Sequence, residues 1–156
     1  MNADVVVIGI GNEFRCDDGV GPAVAAVLSA RRLPGVHAVT ATGEPASILD
    51  AWTDVDLCVV IDAAVAENGT PGTIRRWMPT DGHEPAVVSS HGFGLPQTLA
   101  LGRAVNRVPS KLAVFTVDVE SIEHGVGLSP AVAAAVPTVV QAIIAEVQTR
   151  QRHTVK

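Results

Sequence analysis

Apolar residues come in unbroken runs and at helical spacing, and the two patterns alternate along the chain. Asp4–Ile10 (DVVVIGI) is a near-continuous β-branched run, the pattern of a strand buried on both faces. From Gly19 the period changes, with Val20, Val24, Val27 and Leu28 at i, i+4, i+7 and i+8. That spacing predicts a helix, with Asp17 or Asp18 capping its start, Arg31 and Arg32 in its last turn and Gly35 beyond. Val36–Ala41 reads as a second strand, Gly43–Thr53 as a short helix and Asp56–Val65 (DLCVVIDAAV) as a third strand. Strands separated by helices of this length predict right-handed βαβ units and a parallel sheet.

After Asp62 the rhythm breaks at the turn dipeptides Asn68-Gly69 and Pro71-Gly72. Thr73–Met78 fits an edge strand, with Arg75 and Arg76 guarding it against pairing with other chains. Pro79–Ser90 is polar and reads as a surface loop, followed by a helix from about Phe93 or Leu95 to Arg107. Lys111–Val119 (KLAVFTVDV) is another buried strand. Ser129-Pro130 opens a last helix that aligns Val136, Val140, Ile143, Ile144 and Val147, with Pro137 expected to kink or split it. The expected fold is a single-domain, three-layer α/β/α structure around a twisted, mostly parallel sheet of about five strands. Residues 1–150 would form the domain and 151–156 a flexible tail, with fraying from Gln148.

Composition narrows the function classes. The 156 residues are 47% hydrophobic with no tyrosine, so valine and alanine must fill most of the core. The net charge is −5, and no Lys/Arg cluster exceeds the pairs Arg31-Arg32 and Arg75-Arg76, which argues against a nucleic-acid partner. Cys16 and Cys58 fit a reducing compartment better than a disulfide framework. Asp4 stands where a secretory n-region would be basic, so a cytoplasmic protein is expected. Gly127–Ala145 carries no formal charge, but Ser129, Pro130, Pro137, Thr138 and Gln141 interrupt it. Its apolar residues also form one stripe, so no membrane association is expected.

In open α/β sheets, ligands bind outside the carboxyl ends of the strands. Asp18 in the loop after the first strand, Asp62 ending the third, and His91 before the next helix should converge there. Asp17 and Asp18 together exceed what one N-cap needs; one could cap while the other is solvated. Asp62 follows Cys58-Val59-Val60-Ile61, and a carboxylate ending a buried strand must be paired, hydrogen-bonded or ligating. His91 lies in Ser89-Ser90-His91-Gly92, a loop that can aim an imidazole; His37, His83, His124 and His153 read as solvent-exposed. Two carboxylates and an imidazole would make an open O/O/N site for nickel, zinc or manganese.

Two rival chemistries fit less well. Gly9-Ile10-Gly11 resembles the opening of GxGxxG, but Phe14 takes the third glycine's place, and acids stand where a pyrophosphate would meet the helix. No nucleotide is therefore expected. Nucleophilic catalysis has no GxSxG elbow, and flanking by Asp17 and Asp18 disfavours a Cys16 thiolate. Cys16 reads as a small loop residue and Cys58 as core.

GIGNEFRCDDGVGP after a buried strand, CVVIDA at the third strand, SSHGFGLPQTL before a helix and ESIEHGVGLSPAV before the last helix resemble the nickel–iron hydrogenase maturation proteases. The blocks span most of the chain from Val5 to about Val147. The resemblance implies an endopeptidase that removes the C-terminal extension of a hydrogenase large-subunit precursor after nickel insertion. The nickel, supplied by the precursor, would be contacted by Asp18, Asp62 and His91, which carry the catalytic and metal-site roles together. Many members of the family have glutamate at the Asp18 position. Gly43 matches part of the family's glycine-rich turn, but Glu44-Pro45 departs from it, which leaves substrate binding there open. Gly9, Gly11, Asn12 and Asp17 are expected to shape the loop, the glycines by bringing backbone close to the site and Asp17 as the helix cap. The alternatives are a nucleotide- or small-molecule-binding α/β module without protease activity, and a non-catalytic nickel-sensing assembly factor.

Overall fold

The computed structural model describes residues 5–42, 44–65, 68–79, 88–89 and 95–154. In chain order the elements are β1 (Val5–Ile10), a 3-10 turn (Cys16–Gly19), α1 (Val20–Arg31), β2 (Val36–Ala41) and α2 (Pro45–Trp52). Then come β3 (Leu57–Val65), β4 (Ile74–Trp77), β5 (Val88–Ser89), α3 (Leu95–Ala104), β6 (Lys111–Asp118) and α4 (Pro130–Thr154). The strand order is β2-β1-β3-β6-β4, parallel from β2 through β6, with β4 antiparallel at the edge. The single-domain, mostly parallel α/β sheet is as expected, and the buried β-branched runs became its central strands.

Strand alternation sends neighbouring side chains to opposite faces, and each face has its own core. Val5, Val7, Val59, Ile61, Phe115 and Val117 pack with α1 and α4. Val6, Ile8, Cys58, Val60, Leu112 and Val114 pack with Ile48 and Trp52 of α2 and Leu99 of α3. The second core is closed at its edge by the Trp52 indole, which donates to the Arg107 carbonyl at 2.7 Å.

The α1 stripe differs from its prediction. Val20, Val24 and Leu28 are buried, but so are Gly21 and Ala25, while Val27 is 37% exposed. The helix is turned so that its small residues meet the sheet. A Cβ on Gly21 would lie 2.7 Å from the Ile61 carbonyl oxygen, and one on Gly9 would strike the Gly21 carbonyl. Only glycine allows so close a backbone crossing, and it seats the start of α1 directly over the ends of β1 and β3.

Other expectations shift locally. The stretch read as a loop over Pro79–Ser90 contains β5, whose two residues pair antiparallel with Ala64 and Val65. The end of β3 runs past β1 and offers that edge. Pro137 does not split α4, which runs unbroken to Thr154 and so takes in most of the stretch read as a tail. Arg150 pairs with Asp56 at 3.3 Å and Gln151 donates to the Pro34 carbonyl, tying that end to two loops. One helix, Pro130–Arg152, is long and apolar enough to cross a membrane by length and composition. Here Val132, Ala135, Val139, Val140, Ile143 and Val147 bury one stripe of it against the sheet and α1. Arg75 and Arg76 do not simply guard the edge. They point to opposite faces of β4, Arg75 to Asp118 at 3.1 Å and Arg76 to Glu146 of α4.

Candidate active site

β1 lies between β2 and β3, and a crevice opens between the loop after β1 and the end of β2. The loop after β1 runs from Gly11 into the 3-10 turn, which packs against the end of β3. Asp18 is fully buried in that turn, and its Oδ2 accepts the Asn12 N–H at 3.0 Å. It borders a cleft of about 540 Å³ also lined by Gly11, Asn12, Glu13, Arg15, Pro22, Thr40 and Thr42. The floor is tight backbone, since a Cβ on Gly11 (φ +152°) would strike the Asp18 carbonyl. Gly9 and Gly11 bring backbone close together at this loop, and Asn12 donates its main-chain N–H to the Asp18 carboxylate.

Asp62 does not end the third strand as read: it is 3% exposed inside β3, one residue beyond the last β1 pairing and level with Thr116 of β6, because β6 and β5 go on pairing with Ala63, Ala64 and Val65 after it. Through Gly21 the start of α1 lies against Ile61, so the turn carrying Asp18 lies close to the part of β3 that carries Asp62. His91 and Gly43 lie outside the described residues, as does His83. Thr42, beside Gly43, does line the cleft. Among the described residues no group of three or more His, Cys, Asp or Glu side chains is gathered as a metal set. His37 and His124 are exposed, as read.

Asp17 is not the helix cap. No side chain caps the 3-10 turn or α1. Asp17 turns away from the helix into the loop between β6 and α4. It accepts the Ser129 N–H at 2.6 Å and the Ser129 hydroxyl at 2.8 Å, and the Glu120 and Ser121 N–H groups at 2.8 and 3.2 Å. Burial pushes the Asp17 carboxyl up, but these donors together outweigh it and hold the group below its ordinary value. Cys16 N–H to Gly125 O and Asp17 N–H to Ser121 O add backbone links at 2.9 and 3.0 Å. The physical reason for the correction is distance along the sheet. The loops after β1 and β6 meet over the end of β3, and a carboxylate there satisfies amides that strand pairing leaves open.

The thiols behave as read. Cys58 is fully buried, and burial pushes its thiol up, far from a thiolate at neutral pH. Cys16 is a half-buried loop residue in a left-handed conformation, φ +48°. Sequence reasoning missed Asp118, 1% exposed at the end of β6 and paired with Arg75. The signal was available, because KLAVFTVD ends a buried apolar run in an acid.

Residues 24–146 match the family model of the hydrogenase maturation proteases, HycI. The chain belongs to this family. It is 27% identical over 147 residues to the hydrogenase 2 maturation protease of Escherichia coli (strain K12), covering 90% of this chain and 88% of that protein. The coenzyme F420 hydrogenase subunit delta of Methanothermobacter thermautotrophicus is 28% identical over 157 residues, covering 94% and 96%. The solved structure of the hydrogenase maturating endopeptidase HybD from E. coli shares the fold at a TM-score of 0.80 and 24% identity, covering 96% and 94%. As a hydrogenase maturation protease the chain is a peptidase by family. The family match takes in Asp62 but opens after Asp18, so Asp18 stands on its own geometry at the cleft.

Proposed function

We propose that this maturation protease is a cytoplasmic endopeptidase that removes the C-terminal extension of a nickel-loaded hydrogenase large-subunit precursor. The observation that carries the reading is the placement of Asp18 on the cleft wall, in a turn packed against β3, the strand that buries Asp62, in a chain of this family. Nickel arrives with the substrate, held by its own thiolates. Asp18, Asp62 and His91 complete its coordination and so position one peptide bond, which is proximity catalysis. A carboxylate donor set suits a borderline divalent ion, and the cleft orients at least one such donor through the Asn12 amide. Bound in this way, nickel supplies a Lewis acid beside the scissile carbonyl. The protein's part is to fix the carboxylates, through the Gly9–Gly21 crossing and the short loop they enclose.

The test is incubation of the purified protein with nickel-loaded large-subunit precursor, followed by mass measurement of the product. Wild type should shorten the precursor at one bond, and nickel-free precursor should stay intact. Asp18→Ala and His91→Ala should each leave it intact as well. An uncleaved precursor with wild type, or variants that cleave as well as wild type, would overturn the proposal. Stabilisation of the free protein by nucleotides in a thermal-shift assay would instead favour a small-molecule-binding module.

A further inference from the structure

The loop after β1 and the loop before α4 also carry exposed apolar residues that the proposed chemistry does not use. Phe14 is 61% exposed and Val126 is 79% exposed. They belong to loops far apart in sequence, yet they are neighbours. Gly125 donates its N–H to the Phe14 carbonyl and accepts the Cys16 N–H, both at 2.9 Å. Arg15 and Gly125 pair as an isolated parallel bridge, and the Arg15 Nε donates to the Ile122 carbonyl at 3.2 Å. Asp17 closes the assembly by holding Glu120, Ser121 and Ser129. Exposed loop tips are ordinarily loosely tied, whereas these two are cross-linked by backbone bonds and a buried carboxylate.

Large apolar side chains displayed on a braced surface mark a contact site. Glu13 and Arg15, on either side of Phe14, line the Asp18 cleft, so Phe14 stands beside the cleft's rim. Glu123 and His124 are exposed beside Val126 and, with Glu13, provide the polar rim that protein interfaces carry around an apolar centre. We propose that Phe14 and Val126 form a docking platform for the folded hydrogenase large-subunit precursor, held beside the cleft by the Asp17 cross-link. The assignment rests on the peptidase reading above and adds the surface that grips the partner while a single peptide bond reaches Asp18. A folded partner is the fitting occupant because the platform lies outside the cleft, beyond the chain segment being cut.

Binding to nickel-loaded precursor, measured by biolayer interferometry, and cleavage, followed by mass, test this on three proteins. These are wild type, Phe14→Ser/Val126→Ser, and a control, Leu101→Ser/Val105→Ser, whose parent residues are comparably exposed at 45% and 50% on and just after α3. The platform variant should raise Kd and KM by about tenfold or more, with a smaller fall in kcat, as loss of central apolar anchors does. The control should bind and cleave as wild type does. The platform is overturned if its variant keeps the wild-type Kd and KM, or if the control loses as much. It is also overturned if light scattering shows the variant dissolving a dimer of this chain while precursor binding persists. Wild type that neither binds nor cleaves the precursor would remove the peptidase reading and the platform with it. Wild type that cleaves beside an indifferent variant would remove the platform alone.

Discussion

Asp17 and Asp18 are adjacent, equally buried and chemically identical, yet they serve opposite sides of one loop. Asp17 faces the loop between β6 and α4, where four hydrogen bonds from Glu120, Ser121 and Ser129 converge on it. Asp18 faces the cleft, oriented by the Asn12 amide. The difference teaches that a pair of acids at a helix start can be divided between bracing a second loop and walling a cleft by a one-residue change of direction in a 3-10 turn. A carboxylate that gathers the amides of a second loop braces the two loops together, and its neighbour forms part of a cleft wall.

Exchanging the charge at each position is the strongest way to break this contrast. Asp18→Asn should lower cleavage of nickel-loaded precursor by roughly a hundredfold or more, the scale of losing a positioned electrostatic group, while urea denaturation shows little loss of stability. The reverse outcome, an unstable but active protein, would exchange the two roles. Asp17→Ala should destabilise the fold by about 3 kcal/mol in the same denaturation, because buried backbone donors lose a charged acceptor. Asp17→Asn should cost less, since an amide oxygen can still accept.

Acid should sharpen the comparison further. The Asp17 pKa lies below its unfolded value near 3.8, so the native state holds the carboxylate more readily than the unfolded chain does. The resulting stability is fully present above that value and is lost as pH falls below it toward the folded pKa. Wild type should therefore lose stability more steeply than Asp17→Asn as pH falls below about 4, as read by urea midpoints along an acid series. The smallest effect belongs to Arg75→Ala, which removes the partner of Asp118. The Arg75 side chain is 42% exposed, so solvent already screens the pair, and a loss of about 1 kcal/mol is expected. That contrast separates a carboxylate held by fixed amides from one held by a mobile side chain.

Much of the fold was legible. The runs VVVIGI, LCVVIDAAV and KLAVFTVD became strands within a residue or two of their expected ends, because only a doubly covered strand tolerates so many consecutive β-branched residues. The burial of Asp62 was legible for a related reason: a charge inside such a run must be accommodated by its surroundings. The α1 stripe was misjudged at Val27 because apolar periodicity ranks valine above glycine, whereas the sheet selected Gly21 and Ala25 for close approach. β5 was missed because two residues carry no periodic signal.

What the sequence determined by itself is the order of elements, the family, and a loop crowded with glycines and acids after the first strand. All of these depend on local pattern, on which residue types follow which. What tertiary structure alone decided is which acid does what. Asp17 found its partners at Glu120, Ser121 and Ser129, and Asp18 came to border Thr40 and Thr42. Those neighbours come from distant parts of the chain. They meet only because a parallel sheet gathers its strand ends along one edge, where unpaired amides and open space compete for each carboxylate.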